Sequence, residues 1–134
     1  MAVLITLTPG SDDPAHLTLV ETNHEFCSRL QRDFPGVHVH CMNAADLVKR
    51  DLFGGKKVGA VVSGVPFLLL KPDEAMAILS AVFECMAPQA ALYQVTYGFN
   101  VPFPRDVLRA PGAQAWPRPQ QFSVRYATRP SIAP

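Results

Sequence analysis

Residues 58–66 read VGAVVSGVP, an apolar run that ends in a glycine and a proline. A short, continuously apolar run is typical of a strand that is covered on both faces in a parallel sheet. Gly64 permits close backbone approach, and Pro66 restricts the backbone after the strand. We therefore expect a central strand here, with Val61 and Val62 both in the core and residues 63–66 at its carboxyl end.

Further strand-like segments lie on both sides of this run. They fall at residues 3–7, 17–21, 37–41 and 91–96. Each is short, rich in β-branched or aromatic residues, and bounded by turn-forming residues. Together with the helical patterns between them, they predict an α/β fold: a Rossmann-like, mostly parallel sheet with flanking helices.

The helical patterns have recognisable ends. Thr22 and Glu25 form a capping-box pattern before a helix that Pro35-Gly36 ends. A shorter helix is expected at residues 47–52. Pro72 suits the first position of another helix, and Pro88 is expected to close it.

Composition bounds the class of protein. The chain has 134 residues, of which 49% are hydrophobic and 17% charged. These values exclude a disordered chain and predict a single domain over residues 1–134. Residues 1–106 carry a net charge of −3, and residues 107–134 carry +4 through four arginines. A proline-rich segment at 99–121 overlaps the start of this basic region.

Cysteine and histidine spacing indicates neither a disulfide framework nor a metal site. The cysteines are Cys27, Cys41 and Cys85, an odd count without zinc or C-x-x-C spacing. A reducing cytoplasm is therefore the expected location. His38 and His40 share one face of a strand and are interpreted as edge residues.

Polar residues lie at the ends of four of the predicted strands. Gln94, Thr96 and Tyr97 end the last of them and could line a pocket, or, for Tyr97, pack in the core. Glu21 can accept hydrogen bonds from the two hydroxyls of a ribose, or it is a solvated residue before a helix. Asn43 can both donate and accept, which suits the edge of an adenine ring, but Asx residues are also ordinary turn formers. Residues 63–66 either present oxygens to a substrate or form a strand-to-loop turn.

Four runs in this order resemble the class I S-adenosylmethionine-dependent methyltransferases. They are LTLVE at 17–21, NAADL at 43–47, SGVPFLLL at 63–70 and QVTYG at 94–98. Within the class, the chain is most similar to the bacterial phospholipid (phosphatidylethanolamine) N-methyltransferases and the ribosomal RNA adenine dimethylases. The resemblance implies S-adenosylmethionine as cofactor. It assigns cofactor binding to Glu21, Thr22, Asn43, Ala44 and Ser63. It places Ser63, Gly64, Val65 and Pro66 near the transferred methyl group.

The start of the chain departs from this family. Family members carry a glycine-rich E-x-G-x-G-x-G loop and then a helix after the first strand. Here residues 7–13 read LTPGSDD, in which only Pro9-Gly10 is similar. We therefore expect a domain truncated at its N-terminal end, with a partly bare sheet face near residues 3–7 and 17–20. Exposed apolar faces are usually covered by a partner, so a homodimer is expected.

The resemblance predicts N-methylation of a lipid or small-molecule amine, with peripheral membrane contact if the amine is a lipid. The missing glycine-rich loop favours an alternative, a degenerate methyltransferase-like domain that binds a partner or nucleotide without turnover. A third interpretation is an RNA-linked role, in which the arginines of 107–134 act with Trp116, Phe122 and Tyr126. Nucleic acid is the less favoured partner.

Overall fold

A computed structural model describes residues 3–6, 13–95 and 123–127. Six strands lie within these residues: β1 (Val3–Thr6), β2 (Leu17–Glu21), β3 (His38–Cys41), β4 (Val58–Ser63), β5 (Met86–Val95) and β6 (Ser123–Ala127). The helices are α1 (His24–Asp33) and α2 (Pro72–Cys85), together with 3₁₀ helices at Pro14–His16, Ala44–Lys49 and Phe67–Leu69. The chain is therefore a mixed α/β protein, as the alternation of patterns predicts.

The strands form one sheet in the order β3-β2-β1-β4-β5-β6. β2 pairs with β3 in parallel, and so does β4 with β5. β1 is antiparallel to both of its neighbours, and β6 is antiparallel to β5. The prediction of a mostly parallel sheet is wrong, because three of the five pairings are antiparallel. Only ten residues separate β1 from β2, and a parallel connection needs a crossover of about a dozen or more.

One consequence of this topology is that β2, β3, β4 and β5 all run in the same direction. Since β1 is antiparallel to both β2 and β4, those two strands agree with each other. Their carboxyl ends therefore meet at one edge of the sheet, which we call the carboxyl edge. The carboxyl end of β1 lies at the opposite edge.

The hydrophobic core lies between one face of the sheet and α2 with the 3₁₀ helix Ala44–Lys49. The sheet contributes Ile5, Val20, Val61 and Leu92, which are at most 2% exposed. The helices contribute Leu47, Ile78, Leu79 and Val82, among others. Burying one such side chain stabilises the fold by about 1.5–3 kcal/mol.

The other face of the sheet is only partly covered. Val62 is 38% exposed, whereas the adjacent Val61 is 1% exposed. The prediction that both valines are core residues is therefore wrong for Val62, because successive side chains of a strand point to opposite faces. Leu17 and Leu19 are half-buried, which agrees with the expected partly bare face at residues 17–20.

Helix α1 starts one residue later than its capping-box pattern indicates. Asn23 is the N-cap, and its Oδ1 accepts from the amides of Glu25 at 3.0 Å and Phe26 at 3.2 Å. The Thr22 hydroxyl instead donates to Glu21 Oε1 at 3.5 Å. The predicted Thr22 cap is wrong, because Asn23, whose side chain is at least as good a cap, accepts from the free amides of the first helical turn. The helix ends just before Pro35-Gly36, as predicted.

Helix α2 begins at Pro72 as predicted, and the Glu74 carboxylate accepts from the amide of Lys71 at 3.2 Å. Its end differs from the prediction. β5 begins directly after Cys85, so Pro88 lies inside the strand rather than closing the helix. The β4–β5 register is irregular between Val58 and Ala60, and such irregularities are where strands tolerate proline.

The 3₁₀ helix Ala44–Lys49 replaces the helix expected at 47–52. The proline-rich segment at 99–121 lies outside the described residues. Where the structure describes the chain, no helix is both long enough and apolar enough to cross a bilayer.

Candidate functional site

A cavity of about 280 Å³ lies at the carboxyl edge, where β2, β3 and β4 end. Five of the eight residues assigned to the site by sequence line it: Thr22, Asn43, Ala44, Val65 and Pro66. Val20, Met42, Leu70 and Ile78 complete the lining. Of the other three assigned residues, Glu21 and Gly64 are adjacent in sequence to lining residues, and Ser63 lies two residues before Val65.

Glu21 is nearly inaccessible, with 2% of its surface exposed. Its Oε1 accepts from the amide of Asn23 at 2.9 Å, so the carboxylate holds the turn between β2 and α1. Its carbonyl oxygen accepts from the amide of Met42 at 2.9 Å, which joins this turn to the end of β3. The carboxylate thus fixes the turn that carries the lining residue Thr22.

Asn43 caps the 3₁₀ helix that follows β3. Its Oδ1 accepts from the amide of Ala45 at 2.9 Å, and the residue is exposed. The carboxamide NH₂ has no hydrogen-bond partner among the described residues, so it remains able to donate to a ligand in the cavity. Asp46, in the first turn of this 3₁₀ helix, accepts from Lys49 Nζ at 3.0 Å.

The segment after β4 is held by its own hydrogen bonds. Ser63 is buried, and its Oγ accepts from the amide of Val65 at 3.2 Å. The carbonyl oxygen of Val65 accepts from the amide of Phe67 at 2.9 Å and from Gln94 Nε2 at 2.8 Å. The Ser63 hydroxyl oxygen and the Val65 carbonyl, two of the oxygens expected to face a substrate, are therefore engaged within the protein.

Gln94, which the sequence suggested as a pocket residue at the end of β5, supports this segment from the neighbouring strand. It is 1% exposed and pairs in register with Ser63. Its Nε2 also donates to the carbonyl of Val95 at 2.8 Å, whereas its Oε1 is buried without a hydrogen-bond partner within the described part of the chain. Thr96 and Tyr97, suggested with it, lie outside the described residues.

A second depression of about 340 Å³ lies away from this site, between residues 47–57 and the end of α2. It contains Lys49, Arg50, Lys56 and Lys57, and no residue assigned from sequence. Lys57 Nζ donates to the carbonyl of Glu84 at 2.7 Å, so one of these cations already has an internal partner. The cavity at the carboxyl edge is therefore the better candidate site.

The histidine interpretation is confirmed for the sheet, because β3 is an edge strand, with His38 exposed and His40 half-buried. Burial, and after it the charges of His38 and Arg50, lower the pKa of His40. Within residues 3–6, 13–95 and 123–127, no three His, Cys, Asp or Glu side chains are grouped to hold a metal ion. The aromatic side chains proposed to contact RNA are not among the described side chains.

No protein-family model, curated protein or solved structure matches the chain.

Proposed function

We propose that the chain is an S-adenosylmethionine-dependent methyltransferase-like protein, with its cofactor at the carboxyl edge and a lipid or small-molecule amine as methyl acceptor. The observation that carries the proposal is the convergence of Thr22, Asn43, Ala44, Val65 and Pro66 on one cavity. They come from three separate strand ends. In α/β sheets, the carboxyl ends of co-oriented strands are where nucleotide ligands bind.

The strand order supports the same proposal. The order 3-2-1-4-5-6 is that of dinucleotide-binding α/β sheets. Here β1 runs in the opposite sense, so the arrangement that we propose is a Rossmann-like sheet with a reversed first strand. The cavity lies at the carboxyl ends of β2 and β3, and Val65 and Pro66, which follow β4, form its remaining wall.

The residues at the cavity fit the adenosine part of the cofactor. The Asn43 NH₂ would donate to the adenine edge, and apolar Val20 and Met42 would pack against the ring. Glu21, which the resemblance assigns to the ribose, stands between the lining residues Val20 and Thr22 and would accept from the ribose hydroxyls beside its bond to the Asn23 amide. A volume of about 280 Å³ is near the lower limit of ligand pockets, roughly 300 Å³.

When bound, the cofactor supplies an already activated methyl group, so the protein contributes mainly position and electrostatics. Val65 and Pro66 would shape the acceptor's end of the cavity, because Gln94 and the amide of Phe67 hold the Val65 carbonyl in place. No side chain in the proposal acts as a dedicated base. The amine must therefore arrive with its nitrogen lone pair free.

The reversal of β1 favours a second candidate, binding without turnover. In the resembling family, the loop after the first strand holds the methionine part of the cofactor. Here the carboxyl end of β1 lies at the opposite edge from the cavity. A nucleoside-binding, non-catalytic domain needs only the residues that do line the cavity.

Calorimetric titration with S-adenosylhomocysteine tests the proposal, and adenosine is titrated beside it. We expect both to bind, with Glu21→Gln weakening binding by about tenfold, since a hydrogen bond to a charged group is worth about 1.5–3 kcal/mol. Glu25→Gln is the matched control, because Glu25 is an exposed acid four residues further along the chain. If neither S-adenosylhomocysteine nor adenosine binds, both candidate functions are refuted.

Transfer of a labelled methyl group then separates the two candidates. The acceptors are a soluble primary amine and vesicles that contain phosphatidylethanolamine. Label in the amine product supports the methyltransferase. Ligand binding without label in either acceptor supports the non-catalytic domain.

A further inference from the structure

Two cysteines and a histidine converge where β2 ends. Cys27 Sγ, on the first turns of α1, donates to the carbonyl of Glu21 at 3.3 Å. Cys41 Sγ, at the end of β3, lies 3.9 Å from the carbonyl oxygen of Thr22 and 3.2 Å from His24 Nδ1. Both sulfurs therefore contact the same two-residue segment of backbone, although 13 residues separate them in the chain.

The backbone brings the two cysteines to the same turn. Glu21 and Cys41 are directly paired in the parallel β2–β3 ladder. Helix α1 starts three residues after Glu21 and packs against both strands. The two thiols contact adjacent carbonyl groups and hydrogen-bond to each other, so the two sulfurs are neighbours.

The two thiols have different access to solvent. Cys41 is exposed and can meet a small reagent, with the His24 imidazole placed to accept its proton. Cys27 is buried, and this burial raises its pKa to about 11, with further contributions from the hydrogen bond and charge of Cys41 and the charge of Glu21. Cys27 is therefore a protonated, shielded thiol beside an exposed one.

We propose that Cys41 and Cys27 form a peroxide-responsive thiol pair, in which Cys41 is oxidised first and Cys27 closes an intramolecular disulfide. In the first step His24 takes the Cys41 proton, and the Cys41 thiolate attacks hydrogen peroxide. The O–O bond breaks, and sulfenic acid and hydroxide form. The proton held by His24 then converts the hydroxide to water. In the second step the Cys27 sulfur attacks the Cys41 sulfur, and the sulfenic hydroxyl leaves with the Cys27 proton as a second water. One peroxide is reduced by two electrons, and two thiols are oxidised by two.

The disulfide would act on the cavity directly. Cys41 immediately precedes Met42 and Asn43, which line the cavity. The Met42 amide is bonded to the carbonyl of Glu21, the group that also receives Cys27 Sγ. Tying α1 to β3 here removes that sulfur–carbonyl hydrogen bond and restrains the cavity rim. The thiol chemistry itself does not rest on the proposed function.

Peptide mapping without reduction tests the pair. The reduced chain is treated with one equivalent of hydrogen peroxide, alkylated and digested with trypsin. Cleavage at Arg29, Arg32 and Lys49 leaves the two cysteines on separate peptides. We expect these peptides to be linked, two hydrogen masses below their sum, while Cys85 is alkylated. Linkage between molecules only, or free Cys27 and Cys41 after treatment, would overturn the proposal.

Variants assign the roles. Cys41→Ser, at an exposed position, should abolish the linkage, and Cys27→Ala should leave a sulfenic acid at Cys41 that dimedone traps. His24→Gln should slow linkage at neutral pH by several-fold. His38→Gln is the matched control, because His38 is also exposed and, in the part of the chain that the structure describes, hydrogen-bonds to neither sulfur. Equal rates in the two histidine variants, or a linkage that persists in Cys41→Ser, would contradict the assignment.

Discussion

The contrast between Val61 and Val62 yields a direct test of the sheet. In β4, Val61 faces the core between Ile5 of β1 and Leu92 of β5, its register partners, and it is 1% exposed. Val62 faces the other side and is 38% exposed. Replacing each in turn by threonine keeps the shape and the β-branching and changes one methyl group to a hydroxyl.

The two substitutions should differ in cost. At Val61 the new hydroxyl is sealed from water and its register neighbours are aliphatic, so it loses hydrogen bonds to solvent. Such a loss costs about 1–3 kcal/mol. At Val62 the hydroxyl reaches water, and surface changes of this kind usually fall within about 0.5 kcal/mol. The unfolding midpoint of Val61→Thr should therefore fall by roughly 4 °C for each kcal/mol, and that of Val62→Thr should barely move.

Urea unfolding followed by far-ultraviolet circular dichroism measures both costs on one scale. The denaturant slope should stay constant in the two variants, because the substitutions do not alter the surface exposed on unfolding. Equal losses of unfolding free energy in Val61→Thr and Val62→Thr would mean that both faces of β4 are covered. That result would refute a core that lies on one side of the sheet only.

Three further predictions concern other parts of the sheet. Gln94→Glu should lower the unfolding free energy by about 3 kcal/mol or more at pH 8, since an ionised carboxylate would face two carbonyl oxygens. Acid should restore part of the lost stability by protonating that carboxylate, and a stability independent of pH would contradict this prediction. The pKa of His40 is lowered in the folded chain, so the unfolded chain takes up this proton at a higher pH than the folded chain does. Stability should therefore fall as pH drops below about 6.5. His40→Gln should reduce that fall, as measured by urea unfolding at several pH values. We expect a second copy to cover the sheet face that bears Leu19 and Val62, and light scattering should then show a dimer. Val62→Lys should shift the dimer towards monomer. A clean monomer at tens of micromolar would refute self-association.

Local signals in the sequence predicted most of the individual elements. Pro72 with its two following acids determined where α2 begins, because proline and carboxylates suit the first turn of a helix. Pro35-Gly36 determined where α1 ends. Where two local signals competed, as Thr22 and Asn23 do for the cap of α1, the sequence alone did not decide between them.

The location of the candidate site was predictable for a different reason. Glu21, Asn43 and the segment after β4 were recognised as strand ends, and β2, β3 and β4 run in the same direction. Their ends therefore meet whatever the direction of β1. What each side chain does there was not predictable, since Glu21, Ser63 and Gln94 bond to backbone groups that only the folded chain brings near.

Sequence by itself thus determined the mixed α/β class, most element positions and the residues at the carboxyl edge, because capping, periodicity and turn chemistry act within a few residues. Only the tertiary structure decided the direction of β1, the exposure of Val62 and the meeting of Cys27 with Cys41. The sequence of a four-residue strand does not indicate the direction in which it pairs, and the continuously apolar sequence of β4 does not indicate which face a helix covers. These features depend on pairing and packing between segments that are distant in the chain, which no short stretch of sequence encodes.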